Sequence, residues 1–218
     1  YEPFVGKPIT NIDVDQWTAQ AYEAGLTYLI EVERYSKSAL NQGRNLLTLE
    51  ICKKMIRQFL QYDARRAEQG KLVLKGVETK LDFEMLHPTL QLPMKFNGVV
   101  DRLEVYENAF IIWDYKSGAI GPSDLSLSGL DDLWKGSKGK PLQILLYAWL
   151  LWKKELVSHP FPWHSGMFKL QSGQPEHLLR GAALGKSNDI TEELLRDFEK
   201  ALCDYIAEVH SNGLPFLE

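Results

Sequence analysis

Residues 98–118 read GVVDRLEVYENAFIIWDYKSG, and they decide the fold. Side chains alternate between two faces along residues 99–106 and again along 109–116, which is typical of two β-strands. The connection at Glu107-Asn108 predicts a two-residue hairpin turn, in which Tyr106 pairs with Ala109. This register would place Asp101 opposite Asp114, on a face that is made of Val, Leu, Phe and Ile except for Lys116 near its end.

The two aspartates are an unusual pair for an apolar face. Opposed side chains have Cβ atoms about 4.5–5.5 Å apart, and Lys116 lies on the same face, two residues after Asp114. Because opposed like charges are destabilising unless a cation compensates them, the pair predicts a hard divalent metal with oxygen ligands. The alternative is ordinary salt bridges, of Asp114 with Lys116 and of Asp101 with Arg102 or a more distant cation. Arg102 itself falls on the opposite face, where we expect it to pack or pair behind the site.

The remaining elements follow from apolar periodicity. Helical spacing occurs in four segments: residues 13–35, 46–66, 142–156 and the stretch from 191 onward. Strand alternation occurs in residues 72–83 and 163–170, and a Gly- and Ser-rich stretch at 118–140 predicts a long, mobile loop. Gly70 is expected to end the second helix. The order predicts the α+β (mixed α/β) class, with a central mixed β-sheet flanked by helices.

Composition excludes several classes of protein. The formal net charge of −4 argues against a wholly basic nucleic-acid binder, although a local basic patch stays possible. No stretch approaches 18 consecutive apolar residues and the first ten residues do not resemble a signal peptide, so we expect no membrane association and a cytoplasmic location. The two cysteines, Cys52 and Cys203, cannot form a zinc knuckle or a complete four-cysteine iron–sulfur site, and both are expected to be buried.

Three motifs resemble those of the RecB-like branch of the PD-(D/E)XK nuclease superfamily, the AddB/RecB-type nuclease domains. They are GVVDR at 98–102, DYKSG at 114–118 and QILLYA at 143–148, in the order and spacing of the family pattern. The resemblance implies a restriction-endonuclease-like core and a hydrolase of phosphodiester bonds that depends on Mg²⁺ or Mn²⁺. It further implies a DNA exonuclease of recombination and repair.

The resemblance also assigns roles to residues of the hairpin. Asp101, Asp114 and Lys116 would be the catalytic residues. The two aspartates would bind the metal, with the backbone carbonyl of Tyr115 as a further ligand. Lys116 would act on the attacking water or on the phosphate.

Further residues would meet the nucleic acid or support the site. Gln143 and Tyr147 would bind substrate from one helix face, and the alternative is a Gln and a Tyr buried in a core helix. Glu78 is a secondary candidate, either beside the metal or in a structural ion pair. The long loop contains three lysines, Lys135, Lys138 and Lys140. They could attract the phosphates of a nucleic acid, and the alternative is a loop that is only solvated.

Two departures from the family pattern bear on the whole protein. No His precedes His87, whereas related domains carry a motif His upstream, and the chain does not contain the cysteines through which some relatives bind an iron–sulfur cluster; we expect the His helix and any cluster to lie outside residues 1–218. We therefore expect residues 1–218 to be a single nuclease domain of a larger protein, with a catalytic core at about 70–170 and a family-like flank at 213–216. Its partners would be DNA, as single strands or duplex ends, and a helicase module. The alternative is a non-catalytic nuclease-fold module that binds DNA or scaffolds a repair complex.

Overall fold

The computed structural model describes residues 1–68, 71–170, 176–184 and 188–211. Its helices are α1 (Val14–Glu31), α2 (Lys37–Leu40), α3 (Gly43–Glu68), α4 (Gly139–Lys153) and α5 (Glu192–Ser211). Its strands are β1 (Leu72–Leu86), β2 (Pro93–Tyr106), β3 (Ala109–Lys116), β4 (Trp163–Lys169) and β5 (Glu176–Leu178). The predicted order of elements is confirmed, and the short α2 and β5 are additions to it. Gly70 and residues 213–216 lie outside the described residues.

One mixed sheet runs through the described part of the chain in the order β1-β2-β3-β4-β5. Neighbouring strands are antiparallel, except that β3 and β4 are parallel. The chain reaches β4 from β3 through α4, because parallel neighbours need a crossover connection. The predicted α+β class with a mixed central sheet is confirmed.

The β2–β3 hairpin has the predicted register. Pairing begins at Tyr106 and Ala109 and continues in step along both strands. Glu107 and Asn108 have φ angles of 50° and 67°, the positive values that a type I′ turn requires at both central positions. The turn therefore brings the aspartates of the first two motifs to neighbouring places just beyond the last of these pairs.

Helices cover both faces of the sheet. On one face, Ile144, Ala148 and Trp149 of α4 are fully buried in the main core, and α5 packs on the outer side of α4. On the other face, the ring of Phe59 in α3 packs 5.1 Å from that of Phe168 in β4. None of the described helices combines the length and the apolarity needed to cross a membrane.

The loop between β3 and α4 corrects the expectation of a mobile segment. It contains only two short 3₁₀ helices, as a Gly- and Ser-rich loop should. Its few apolar side chains are nevertheless buried in the core on the α4 side: Ile120, Leu125, Leu127 and Leu133. These side chains anchor the loop, because removing them from water offsets the entropy of ordering it.

The prediction that both cysteines are buried is half wrong. Cys203 of α5 is buried, whereas Cys52 of α3 is exposed. The side chains of α3 enter the hydrophobic clusters only from Ile56 onward. Cys52 precedes that part of the helix and stays in contact with solvent.

Candidate active site

The residues of the three motifs converge at the end of β3 on the face covered by α4. Asp114 is buried, and its Oδ2 lies 2.6 Å from Nζ of Lys116. Its Oδ1 accepts a 2.9 Å hydrogen bond from Nε2 of Gln143. The geometry of the lysine contact is that of an ion pair rather than a hydrogen bond, so Oδ2 is a buried oxygen with no hydrogen-bond donor among the described residues.

Asp101 lies beside Asp114 on the neighbouring strand. Its Oδ2 accepts a hydrogen bond from the backbone N–H of Tyr115, which ties β2 to β3 at this point. Burial raises the pKa of Asp101, the Tyr115 N–H opposes that shift, and the negative charges of Asp114 and Glu78 raise the pKa further. The two carboxylates are thus close enough to repel each other, as the hairpin register predicted.

Glu78 approaches the same place from β1. Its neighbours Val77 and Thr79 pair with Arg102 and Val100, so Glu78 stands across from the residue between them, Asp101. Its side chain is exposed and its φ is +46°, a backbone conformation that is uncommon for residues other than glycine. A third carboxylate therefore lies at the edge of the site, where the sequence placed it as a secondary candidate.

Gln143 links the strands of the site to α4. Its Nε2 donates to Asp114 Oδ1 and, at 2.8 Å, to the hydroxyl of Tyr147. Its Oε1 accepts a 3.4 Å hydrogen bond from Lys116 Nζ. The amide group therefore contacts both charged partners of the ion pair, and it fixes the orientation of the Asp114 carboxylate.

Tyr147 is held by the first motif as well as by Gln143. Its ring lies against Gly98, where an added Cβ would be 2.8 Å from Tyr147 Cε1. The glycine is needed because any larger residue would occupy the space of the ring. Gln143 and Tyr147 thus pack against the strands that carry the first two motifs, and their contact with nucleic acid remains a prediction.

Tyr115 faces the other way. Its ring packs against Phe59, with 5.3 Å between ring centroids, and its hydroxyl accepts a 3.5 Å hydrogen bond from Nη1 of Arg102. Burial raises the pKa of this phenol. Only the backbone of Tyr115 can therefore belong to the site, and its carbonyl stays a predicted metal ligand.

A buried charge cluster lies behind the site on the α3 face, and it comprises Asp63, Arg66, Arg102 and Glu104. Arg102 contacts Asp63 at 2.6 Å and Glu104 at 2.6 Å, which confirms that it pairs behind the site. Arg66 contacts Glu104, whose Oε1 also accepts a 2.9 Å hydrogen bond from Trp113. The sequence reasoning missed Asp63 and Arg66, although two charged residues near the buried end of an amphipathic helix were a usable signal.

The lysines of the long loop are engaged within that loop. Each contacts an acceptor from its own segment: Lys135 with Asp132, Lys138 with the Ser126 carbonyl at 2.7 Å, and Lys140 with Asp124 at 3.6 Å. The carboxylates offset the charges of Lys135 and Lys140, whereas the carbonyl only holds Lys138 against the loop. The structure therefore gives little support to a basic entry formed by this loop.

The donor set fits a hard divalent cation. No group of three or more His, Cys, Asp or Glu side chains in the described ranges is close enough to enclose a metal. Mg²⁺, however, commonly takes only one or two carboxylates and completes its shell with water and substrate phosphate. The buried Oδ2 of Asp114 and the adjacent Asp101 carboxylate supply that number of ligands, so the residues present fit the ion.

A family model described as the PD-(D/E)XK nuclease superfamily matches residues 11–217. The match includes the β2–β3 hairpin and α4, which carry all three motifs. The observed mixed α/β fold is that of the restriction-endonuclease-like core. No curated protein matches the chain.

Proposed function

The chain belongs to the PD-(D/E)XK nuclease superfamily, and we propose that it is a Mg²⁺- or Mn²⁺-dependent DNA nuclease. One observation carries this proposal. Asp101 and Asp114 stand side by side with Lys116 within ion-pair distance, and Asp114 Oδ2 is buried without a hydrogen-bond donor. Lys116 balances only one of the two carboxylate charges, so the aspartate pair keeps a negative charge that a divalent cation would compensate. A metal ion and a lysine placed in this way would together stabilise the charge that develops when a phosphodiester bond is cleaved.

Each residue has a distinct task in this proposal. A bound Mg²⁺ or Mn²⁺ would neutralise the scissile phosphate and make a water more acidic. Asp101 and Asp114 would hold the ion, and Gln143 keeps the Asp114 carboxylate in one orientation. Lys116 stabilises the negative charge that develops on the phosphate oxygens during attack.

We further place the chain in the RecB-like branch, as an exonuclease of DNA recombination and repair in the cytoplasm. The support is the order of the three motifs, with the GxxDR and DYKxG sequences on successive strands and QxxxYA on the following helix. Its substrates would be single strands or duplex ends, supplied by a helicase module in the same or a partner protein.

Cleavage of a fluorescent oligonucleotide tests the proposal. Wild type should cleave in Mg²⁺ or Mn²⁺, Asp114→Asn should lose Mn²⁺ uptake in titration calorimetry, and Lys116→Ala should lower the cleavage rate by about 10²–10³-fold. Asp82→Asn is the matched control, because Asp82 is an exposed aspartate of β1 that pairs with Lys154. DNA binding without any Lys116-dependent cleavage would replace this proposal with that of a non-catalytic scaffold.

A further inference from the structure

Strand β4 ends beside the catalytic lysine. Lys169 is the direct partner of Lys116 in the parallel β3–β4 ladder, and the N–H of Leu170 donates to the Lys116 carbonyl at 3.1 Å. Directly paired residues of adjacent strands project to the same face of a sheet. Lys169 therefore stands one strand away from Lys116, on the side away from β2.

The neighbours of Lys169 along β4 show on which face of the sheet Lys169 lies. Met167 pairs with Asp114 and is buried in the core on the α4 side. Ser165, two residues earlier, donates from its hydroxyl to the carbonyl of Ile144 in α4 at 3.1 Å. By the same alternation, Lys169 lies on the α4 face, where the motif residues meet.

The two lysines differ in their electrostatic surroundings. Lys116 is compensated by Asp114 and also contacts Gln143. Lys169 is partly exposed and makes no ion pair with any residue that the structure describes. Lys169 therefore adds a positive charge beside the site that no described acidic side chain balances, and such a charge attracts an anion.

We propose that Lys169 and Lys116 form a phosphate subsite, in which Lys169 binds the phosphodiester next to the scissile one. The ligand class is the phosphate backbone of a nucleic-acid strand, so this inference rests on the proposed nuclease function. Lys169 also supplies a positive charge for substrate that the loop between β3 and α4 does not supply, because the loop lysines already contact acceptors of their own. Lys169 contributes to binding substrate and leaves the chemical step to Lys116.

The test is binding of a fluorescein-labelled single-stranded oligonucleotide, followed by anisotropy from about 50 to 300 mM salt. Ca²⁺ replaces Mg²⁺ in this assay, so that the carboxylates stay neutralised by an oxygen-binding cation. Removing one phosphate contact should reduce the slope of log K against log[salt] by about 0.7. If affinities converge near 1 M salt, Lys169→Ala should bind about fivefold more weakly at 0.1 M.

Two further variants make the result specific. Lys169→Arg keeps the positive charge and should restore most of the affinity and the slope. Lys200→Ala removes an exposed lysine of the outer helix α5 and should change neither. In Mg²⁺ cleavage assays, Lys169→Ala should raise KM while kcat stays close to wild type, and its melting temperature should be unchanged or higher.

The outcomes separate this inference from the proposed function. If wild type binds and cleaves but Lys169→Ala behaves like Lys200→Ala, the phosphate subsite is wrong and the nuclease proposal stands. If wild type neither binds nor cleaves DNA, the nuclease proposal fails and the subsite fails with it. A lower melting temperature for Lys169→Ala with an unchanged salt slope would show a structural role instead.

Discussion

Substitution of Gly98 by alanine tests the contact that joins the first motif to the third. A Cβ at this position would lie 2.8 Å from Cε1 and 3.3 Å from Cδ1 of Tyr147. Carbon atoms pack best at about 3.5–4.0 Å, so the ring would have to move by roughly 0.7–1.2 Å. Tyr147 is buried and belongs to a core helix, which leaves the ring little room to move.

The expected cost combines two effects. Overpacking a well-filled core destabilises by about 1–3 kcal/mol. Displacement of the ring also weakens the 2.8 Å hydrogen bond between Gln143 and the Tyr147 hydroxyl, which contributes about 1 kcal/mol. Gly98→Ala should therefore lower the free energy of unfolding by about 2–4 kcal/mol, and cleavage should fall because Gln143 loses one of its anchors.

Urea denaturation of Gly98→Ala beside Gly25→Ala provides the measurement. Gly25 lies within α1 with nothing within 4 Å of an added Cβ, so its substitution should stabilise by up to about 1 kcal/mol. Tyr147→Ala should remove the clash, and the double-mutant cycle should give a coupling energy of about 0.5–3 kcal/mol. Unchanged stability of Gly98→Ala together with zero coupling would refute the steric reasoning.

Three further predictions concern buried charges and thiols. Burial opposes ionisation of Glu104, but its two arginine partners outweigh burial and lower its pKa. Wild type should therefore lose stability as pH falls below about 4.5. At pH 7, Glu104→Gln should lower the free energy of unfolding by about 3 kcal/mol, measured by urea denaturation. The pKa of Asp101 is raised, chiefly by burial. Asp101→Asn should therefore raise the melting temperature in metal-free buffer at pH 7. This gain should shrink as pH falls, because the wild-type carboxyl then becomes protonated and loses its unfavourable charge. Native protein should react with a thiol reagent at exposed Cys52 and remain protected at buried Cys203, as mass spectrometry of the labelled peptides would show; equal labelling of both would contradict the packing of α5.

Prediction from sequence was most reliable where the determining contacts were local. The first helix was expected to begin at residues 10–13, and it begins at Val14, with the Asp13 side chain accepting a hydrogen bond from the N–H of Gln16. The register of the β2–β3 hairpin was predicted correctly because two residues, Glu107 and Asn108, form the turn. Once the turn is fixed, the alternation of side chains along each strand determines which residues pair and which face they share. The position of Asp101 beside Asp114 followed from that register alone.

Prediction failed where distant segments decide what a residue contacts. The sequence placed Arg102 behind the site, but its partner Asp63 lies 39 positions away on α3 and was not identified. The exposure of Cys52 depends on where along α3 the packing against the core begins, which is at Ile56. The loop before α4 is anchored although its composition favours mobility, because its few apolar residues meet a core formed by other elements.

By itself, the sequence determined the hairpin, the face of the two aspartates and the position of Lys116, since backbone alternation and a two-residue turn act over short distances. Tertiary structure alone decided that Gln143 bonds Asp114 from 29 positions away and that the parallel strand β4 sets Lys169 beside Lys116. Parallel pairing needs a crossover, so its register depends on how α4 packs on the sheet rather than on any local signal. The charged ends of β3 and β4 therefore meet only in the folded chain.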